Sequence, residues 1–255
     1  MLFAVDIGNT NIKTALFQNE ELVKKIIFTS VEDVIHFAED HKHNIAAVSS
    51  VVPERLKRFV DSYNSSFKKE PFVIKNNLLF NLKIDYETPE TLGIDRICSS
   101  EGAFVLYKNS SAYNSNNDNA YILAIDFGTA TTVNFITHAG VFIGGMILPG
   151  LKMMFESLKS GTAQLPLVSG EDFDSVIGKS TRESIASGVL NAQAGVVDRA
   201  VNFIKKLIAA PSIKIYITGG VAENIIPFID HTFVYEPNLV LFGINRIFLK
   251  NKIDK

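Results

Sequence analysis

Asp6, Gly8 and Thr10 stand together near the start of the chain, and Asp126, Gly128 and Thr129 repeat the set midway. Each Asp closes an apolar run, Phe3-Ala4-Val5 in one case and Leu123-Ala124-Ile125 in the other. A Gly turn and a second apolar run follow each of them. A carboxylate beside Gly and Thr can orient a hydrated metal ion, while turn amides and hydroxyls hold phosphate oxygens. Asp, Asn and Gly also occupy tight hairpin turns for backbone reasons alone. Two copies, with more hydroxyls than a turn requires (Thr10; Thr129, Thr131 and Thr132), favour a nucleotide clamp over two plain turns.

A different chemistry is offered by Thr91-Leu92-Gly93-Ile94-Asp95-Arg96. Asp95 starts a helix candidate, where the dipole favours a carboxylate for stability alone. Gly93 beside it permits close approach to backbone, and Arg96 supplies a planar fork for an anion. A base, an anion clamp and an open backbone within four residues describe a site for a hydroxy acid. Phosphoryl transfer to an alcohol asks for alignment, charge neutralisation and such a base. No Gly-x-x-x-x-Gly-Lys-Ser/Thr sequence occurs, so a P-loop is excluded. The turns Gly8 to Lys13 and Gly128 to Thr132 are left to hold phosphate, from opposite sides.

These residues need strands to carry them. A third strand follows each hairpin, Leu22 to Phe28 and Val141 to Leu148, making two three-strand meanders. Helix candidates follow over Val31–His41, Pro53–Tyr63 and 94–107, with strands at Ile45–Ser49 and Phe72–Ile74. In the second half, a helix starts at Leu151 and a long helical region covers Thr181 to Leu207, interrupted or kinked near Gly188 and Gly195. A strand over Lys214–Thr218 runs through Gly219-Gly220 into a helix over Val221–Phe228, and Asn238–Lys252 reads as an amphipathic helix. The pattern is α/β, a mixed sheet built twice. The polar stretch 108–119 reads as an exposed loop between halves, giving domains 1–115 and 116–255 that face one another.

Composition narrows the partners. A net charge of −2 argues against sequence-independent nucleic-acid binding. No apolar stretch approaches bilayer length, and no secretory signal stands at the N-terminus. A single cysteine, Cys98, suits a reducing compartment, so a cytoplasmic protein with no membrane association is expected. His41-Lys42-His43 lacks a third ligand at metal spacing.

The chain resembles the type III pantothenate kinases, within the superfamily of acetate and sugar kinases, actin and heat-shock chaperone ATPases. The resemblance rests on Asp6-Ile7-Gly8-Asn9-Thr10-Asn11-Ile12-Lys13, Ser49-Ser50-Val51-Val52-Pro53, Gly93-Ile94-Asp95-Arg96 and Asp126-Phe127-Gly128-Thr129-Ala130-Thr131-Thr132. It continues through Gly144 to Gly150, Gly178-Lys179-Ser180-Thr181 and Thr218-Gly219-Gly220. Ile94, where the family often has a small residue, and Lys152 to Ser157 depart from the pattern.

The resemblance implies two similar actin-like (ribonuclease H-like) domains, each a mixed sheet beginning with a three-strand antiparallel meander and flanked by helices. It implies ATP-dependent phosphorylation of pantothenate to 4′-phosphopantothenate, opening coenzyme A synthesis, by a homodimer. By that resemblance ATP contacts Asp6, Ile7, Gly8, Asn9, Thr10, Asn11, Ile12, Lys13 and Thr129. Asp6 orients Mg²⁺ through water, Lys13 neutralises phosphate charge, and Asp126 binds a monovalent cation, K⁺ or NH₄⁺. Asp95 is the base, and Tyr86, Gly93, Ile94, Arg96 and Thr181 join it around pantothenate.

Alternatives remain for several of these. Asp126 could assist Mg²⁺, Tyr86 could pack beside Pro89, and Thr181 could cap a helix starting near Arg182. Gly219-Gly220 suits either the adenosine side of a nucleotide or a plain turn. A sugar or carboxylate kinase of the same superfamily, or a nucleotide-switched regulatory protein, are the competing functions. For the dimer, Ile185, Val189, Val196 and Val197 give an apolar helical stripe that an internal core would need equally.

Overall fold

The computed structural model describes residues 1–43, 45–111, 113, 119–169, 173, 175–209 and 211–253. The chain forms two units. The first holds Met1–Ala112, Gly140–Phe142 and Asn238–Lys255, and the second holds Tyr113–Ala139 and Ile143–Pro237.

In the first unit β1 (Leu2–Ile7), β2 (Ile12–Gln18) and β3 (Glu21–Phe28) pair antiparallel. Then come α1 (Val31–Asp40), β4 (Ala46–Ser50), α2 (Pro53–Phe67), β5 (Phe72–Val73), β6 (Lys83–Ile84) and α3 (Ile94–Lys108). The sheet order is β3-β2-β1-β4-β5, with β4 parallel to β1 and β5 parallel to β4. The second unit repeats the plan with β7 (Ala120–Phe127), β8 (Ala130–Thr137), β9 (Val141–Pro149), α4 (Leu151–Ser160), α5 (Thr181–Leu207), β10 (Ser212–Thr218), α6 (Ala222–Ile225) and β11 (Val234–Tyr235). Its order, β9-β8-β7-β10-β11, matches that of the first. Val141 and Phe142, in register with Lys83 and Ile84 of β6, cluster with the first unit.

Strand alternation decides which side chains meet the site. Phe3, Val5 and Ile7 of β1 and Ala46 and Val48 of β4 face one way, into a core with α1, Phe59 and Tyr63. Ala4, paired with Ala15 and Ala47, therefore faces the other way, and all three are buried. Three alanines leave a shallow surface on which α7 (Leu239–Ile253) rests. Asp6 and Ser49 lie one alternation further along that same face. The second unit repeats this too: Leu123, Ile125 and Phe127 enter a core with Val197, Val201 and Ile204 of α5, which turns Asp126 to the opposite face.

Most element bounds fall within a few residues of the sequence reading, with three differences. The C-terminal helix α7 clusters with the first unit, whereas the division at 115/116 grouped it with the second half. It is also buried nearly all round through Phe248 rather than amphipathic, because it packs on both the alanine face and α3. Helix α5 runs unbroken through Gly188 and Gly195, since one glycine costs a helix only about 1 kcal/mol. Ile185 and Val189 pack with Leu151 and Phe155, and Val197 packs on the β7 sheet, so the expected stripe serves the internal core. Of the loop expected over 108–119, residues 112 and 114–118 lie outside the described residues. No helix among the described residues is long and apolar enough to cross a membrane.

Helices α3 and α7 approach so closely that a Cβ on Gly102 would collide with the Leu239 carbonyl, and one on Gly243 with the Cys98 carbonyl. Ala at an ordinary helical glycine stabilises by up to about 1 kcal/mol, but overpacking costs about 1–3 kcal/mol. Gly243→Ala is expected to lower the urea midpoint. Gly188→Ala in α5, where a Cβ meets nothing within 4 Å, is expected to raise it. Equal signs for the two variants would refute the close-packing argument.

Candidate active site

In the first unit the site grows from the end of β1. Asp6 pairs across the hairpin with Lys13 and across the parallel ladder with Ser49, whose Oγ donates to Asp6 Oδ1 at 2.9 Å. Between Asp6 and Lys13 the chain turns tightly, the Gly8 N–H donating to the Asn11 carbonyl at 3.1 Å. Asn9, Thr10 and Asn11 are exposed at the tip. Burial raises the Asp6 pKa to about 6; Lys13 and the Ser49 hydroxyl oppose the rise, and the charge of Asp95 adds to it.

Asp95 therefore shares the electrostatic neighbourhood of the Asp6 turn. It occupies the first turn of α3, where the Arg96 N–H donates to Asp95 Oδ1 at 2.9 Å. Its carboxylate lies against Gly93, whose absent Cβ would stand 2.5 Å from Oδ1. Burial raises its pKa as well, with the Arg96 amide and guanidinium opposing. A half-buried carboxylate poised above its ordinary range has the character of a general base.

Arg96 is buried, with its guanidinium carbon 5.8 Å from the Tyr86 ring centre and 5.5 Å from that of Phe142. The two rings meet edge-on at 5.9 Å. Tyr86 thus packs with the Arg96 guanidinium, which lies within cation–π reach of both rings. The strand leading to Tyr86 is anchored by Glu101 of α3, which accepts from the backbone N–H groups of Asn81 and Leu82 and from the Asn81 amide.

In the second unit Asp126 pairs with Thr132 and Thr218, the positions matching Lys13 and Ser49 around Asp6. A Cβ on Gly128 would stand 3.2 Å from Asp126 Oδ1. The turn is held from behind by two glycines. A Cβ on Gly150 would collide with the Gly128 and Thr129 carbonyls, and one on Gly219, at φ +115°, with the Phe127 backbone. Gly219 is thereby explained by backbone approach. The Thr129 side chain is exposed at the tip. Thr181 is the first residue of α5, but the cap is Ser180, whose Oγ accepts from the Glu183 N–H at 3.3 Å. The Thr181 hydroxyl is exposed and spared that duty.

Four contributors had no clear sequence signal. Arg55 of α2 donates to the Gly8, Asn9 and Thr29 carbonyls. Phe142 and Glu101 reach the Tyr86 segment over long sequence separations. Gln193 of α5 accepts from the Thr131 hydroxyl and donates to the Pro149 carbonyl, both at 2.7 Å. Ser50 Oγ also donates to the Ile7 carbonyl, and Pro53 opens α2. Cys98 is buried, and burial with the charges of Asp6, Asp95 and Glu101 pushes its thiol well up, leaving it protonated and inert. Among the described residues no three of His, Cys, Asp and Glu gather as a metal cluster. His41 and His43 stack on one another and against Phe37.

The sequence model of the type III pantothenate kinases matches residues 2–202. A type III pantothenate kinase of Roseiflexus sp. (strain RS-1) is 32% identical, the match covering 99% of this chain and 100% of that protein. One from Frankia alni is 30% identical, covering 98% and 100%. Among solved structures, a Campylobacter jejuni protein described as a Baf family transcriptional activator has a TM-score of 0.59 at 20% identity, covering 98% of this chain and 99% of that one. Component A of (R)-2-hydroxyglutaryl-CoA dehydratase from Acidaminococcus fermentans has a TM-score of 0.53 at 14% identity, covering 100% and 99%. At those identities the structural likeness is one of fold.

The raised Asp6 pKa makes a stability prediction. Its folded value of about 6 lies above the ordinary 3.8, so between those values the folded chain binds more protons than the unfolded one. Stability then falls as pH rises through that window. Asp6→Asn should raise the stability of the ligand-free protein at pH 7.5, on the order of 2–3 kcal/mol for a shift of this size. The gain should shrink as the pH is lowered toward 4, measured by urea unfolding. A variant less stable than the parent at pH 7.5 would mean that Lys13 and Ser49 outweigh burial.

Proposed function

The chain belongs to the type III pantothenate kinase family, and from that premise we propose that it phosphorylates pantothenate with ATP to give 4′-phosphopantothenate, the first step of coenzyme A synthesis. The observation that carries this reading beyond family membership is the group at the start of α3. There a carboxylate with a raised pKa lies on a bare glycine, next to an arginine packed against two aromatic rings. A base and an anion fork on adjacent residues are the pair that a small hydroxy acid calls for.

Asp95 accepts the proton of the pantothenate hydroxyl as its oxygen bonds to the γ-phosphorus and the bond to the β-phosphate oxygen breaks, releasing ADP. Arg96 holds the carboxylate end through its fork, Tyr86 flanks it, and the Gly93-Ile94 backbone and the Thr181 hydroxyl complete the substrate contacts. The turn Asp6 to Lys13 binds the phosphates of ATP, with the Lys13 ammonium offsetting their charge, and the Thr129 hydroxyl adds a contact. Asp6 suits Mg²⁺ held through water, because Ser49 and Lys13 already engage its side of the ladder. Bound there, the ion would neutralise charge on the phosphates.

The two turns differ in a way that bears on the second cation. Lys13 opposes Asp6, whereas Thr132 opposes Asp126. The first carboxylate thus has a built-in ammonium, and the second has hydroxyl-bearing neighbours in Thr132 and Thr218. Hydroxyl oxygens can accept as well as donate, so this set fits K⁺ or NH₄⁺ at Asp126.

We extend the reading to a homodimer. The second unit exposes Ile143, Ile147, Phe203 and Leu207, and Ile143 and Phe203 line one groove with Phe135 and Met146. An apolar groove of this kind suits a second copy of the chain. Sedimentation as a 28.1 kDa monomer at assay concentration would overturn the dimer.

A coupled assay with ATP and a panel of hydroxy acids tests the activity, with pantothenate expected as the preferred acceptor. Asp95→Asn should lower turnover by about 10²–10⁴-fold while ATP binding persists. Near-normal turnover in that variant would reduce Asp95 to a helix-terminal residue. Asp126→Ala should remove activation by potassium chloride measured against tetramethylammonium chloride at equal ionic strength. Undiminished activation would move the cation site elsewhere.

A further inference from the structure

Arg55 occupies the first turn of α2, where the helix dipole disfavours a cation. What its fork reaches explains the position. Nη1 donates to the Gly8 carbonyl at 2.7 Å and to the Asn9 carbonyl at 3.1 Å. Nη2 donates to the Thr29 carbonyl, just past β3, at 2.8 Å. One planar group thus joins the tip of the first turn to the end of the neighbouring hairpin.

The consequence follows from peptide geometry. A trans peptide sets its N–H opposite its C=O, and no cis peptide occurs among the described residues. With the Gly8 carbonyl aimed at Arg55, the Asn9 N–H points away from Arg55. The Asn9 carbonyl does the same for the Thr10 N–H. Two successive amides turned to one side make an anion-binding concavity.

We propose that Arg55 is a positioning residue for the nucleotide: its fork sets the Asn9 and Thr10 amides toward the phosphates and adds positive charge behind them. The proposal rests on the reading above, in which this turn holds phosphate. It also distinguishes arginine from lysine. Three carbonyls on two segments need a planar, multi-donor group, and an ammonium is a compact point charge on a flexible stem.

The test compares wild type, R55A and R55K in steady-state kinetics and in equilibrium ATP binding, with thermal melts alongside. Loss of charged hydrogen bonds predicts that R55A raises both KM and Kd for ATP by about ten- to a hundredfold. The pantothenate KM should stay within about twofold, a difference small on the scale of binding energies. R55K should recover only part of the loss, and added guanidinium ion should partly restore R55A. An ATP KM unchanged in R55A overturns the proposal. So does a proportional rise in both KM values, which marks a purely structural brace, or full recovery in R55K, which marks charge alone. If R55A does not fold, the same split between ATP and pantothenate is read on R55K. A wild-type chain that binds ATP but leaves pantothenate unphosphorylated defeats the functional reading and leaves Arg55 to be judged by ATP Kd.

Discussion

The close seat of α7 against α3 is the constraint on which the first unit's site depends. Ala4, Ala15 and Ala47 leave room on the sheet for α7, while Gly102 and Gly243 let the two helices touch backbone to backbone. With α3 held there, its first turn comes into the electrostatic neighbourhood of the Asp6 turn. Larger residues at any of these positions would lift α3 and carry Asp95 and Arg96 with it. Packing of small residues therefore sets the distance between the Asp95 carboxylate and the Asp6 turn.

That packing also forces carboxylates out of water. Asp6, Asp95 and Glu101 all have pKa values raised by burial, and each has donors that limit the rise. Ser49 and Lys13 serve Asp6, the Arg96 amide serves Asp95, and Asn81 with Leu82 serves Glu101. An unpartnered buried charge would cost several kcal/mol, so these contacts are conditions for the site to exist in a folded chain. They act differently, however. Glu101 satisfies three donors and thereby fixes the segment leading to Tyr86, whereas the Asp95 carboxylate takes the Arg96 amide and lies over bare Gly93.

The duplicated three-strand meander and both carboxylate turns were legible in the sequence because local signals encode them. An apolar run of alternating strand residues, an Asp and a Gly fall within a dozen positions. The residues that brace the turns were not legible, for the opposite reason. Arg55 lies 47 positions from Gly8, Gln193 lies 62 from Thr131, and neither sits in a pattern that announces its partner. Phe142 looks like any strand phenylalanine until β6 pairs with its strand and brings Arg96 over its ring. The placement of α7 was hidden likewise, since nothing in an apolar C-terminal helix states which sheet it covers.

Gly219 and Thr181 show how structure separates readings that sequence leaves equal. A glycine between strand and helix can serve a ligand or its own backbone. At Gly219 the positive φ and the collision that any Cβ would suffer with Phe127 account for it without a ligand. A threonine at a helix start can cap or contact substrate. Because Ser180 takes the cap, Thr181 loses its structural explanation and the functional one gains. The paired turns also differ: a Cβ on Gly8 would meet the Asn11 carbonyl and one on Gly128 the Asp126 carboxylate, and the cross-strand neighbours of the two carboxylates are unlike. Lysine opposite Asp6 and threonine opposite Asp126 give two copies of one device different electrostatic surroundings.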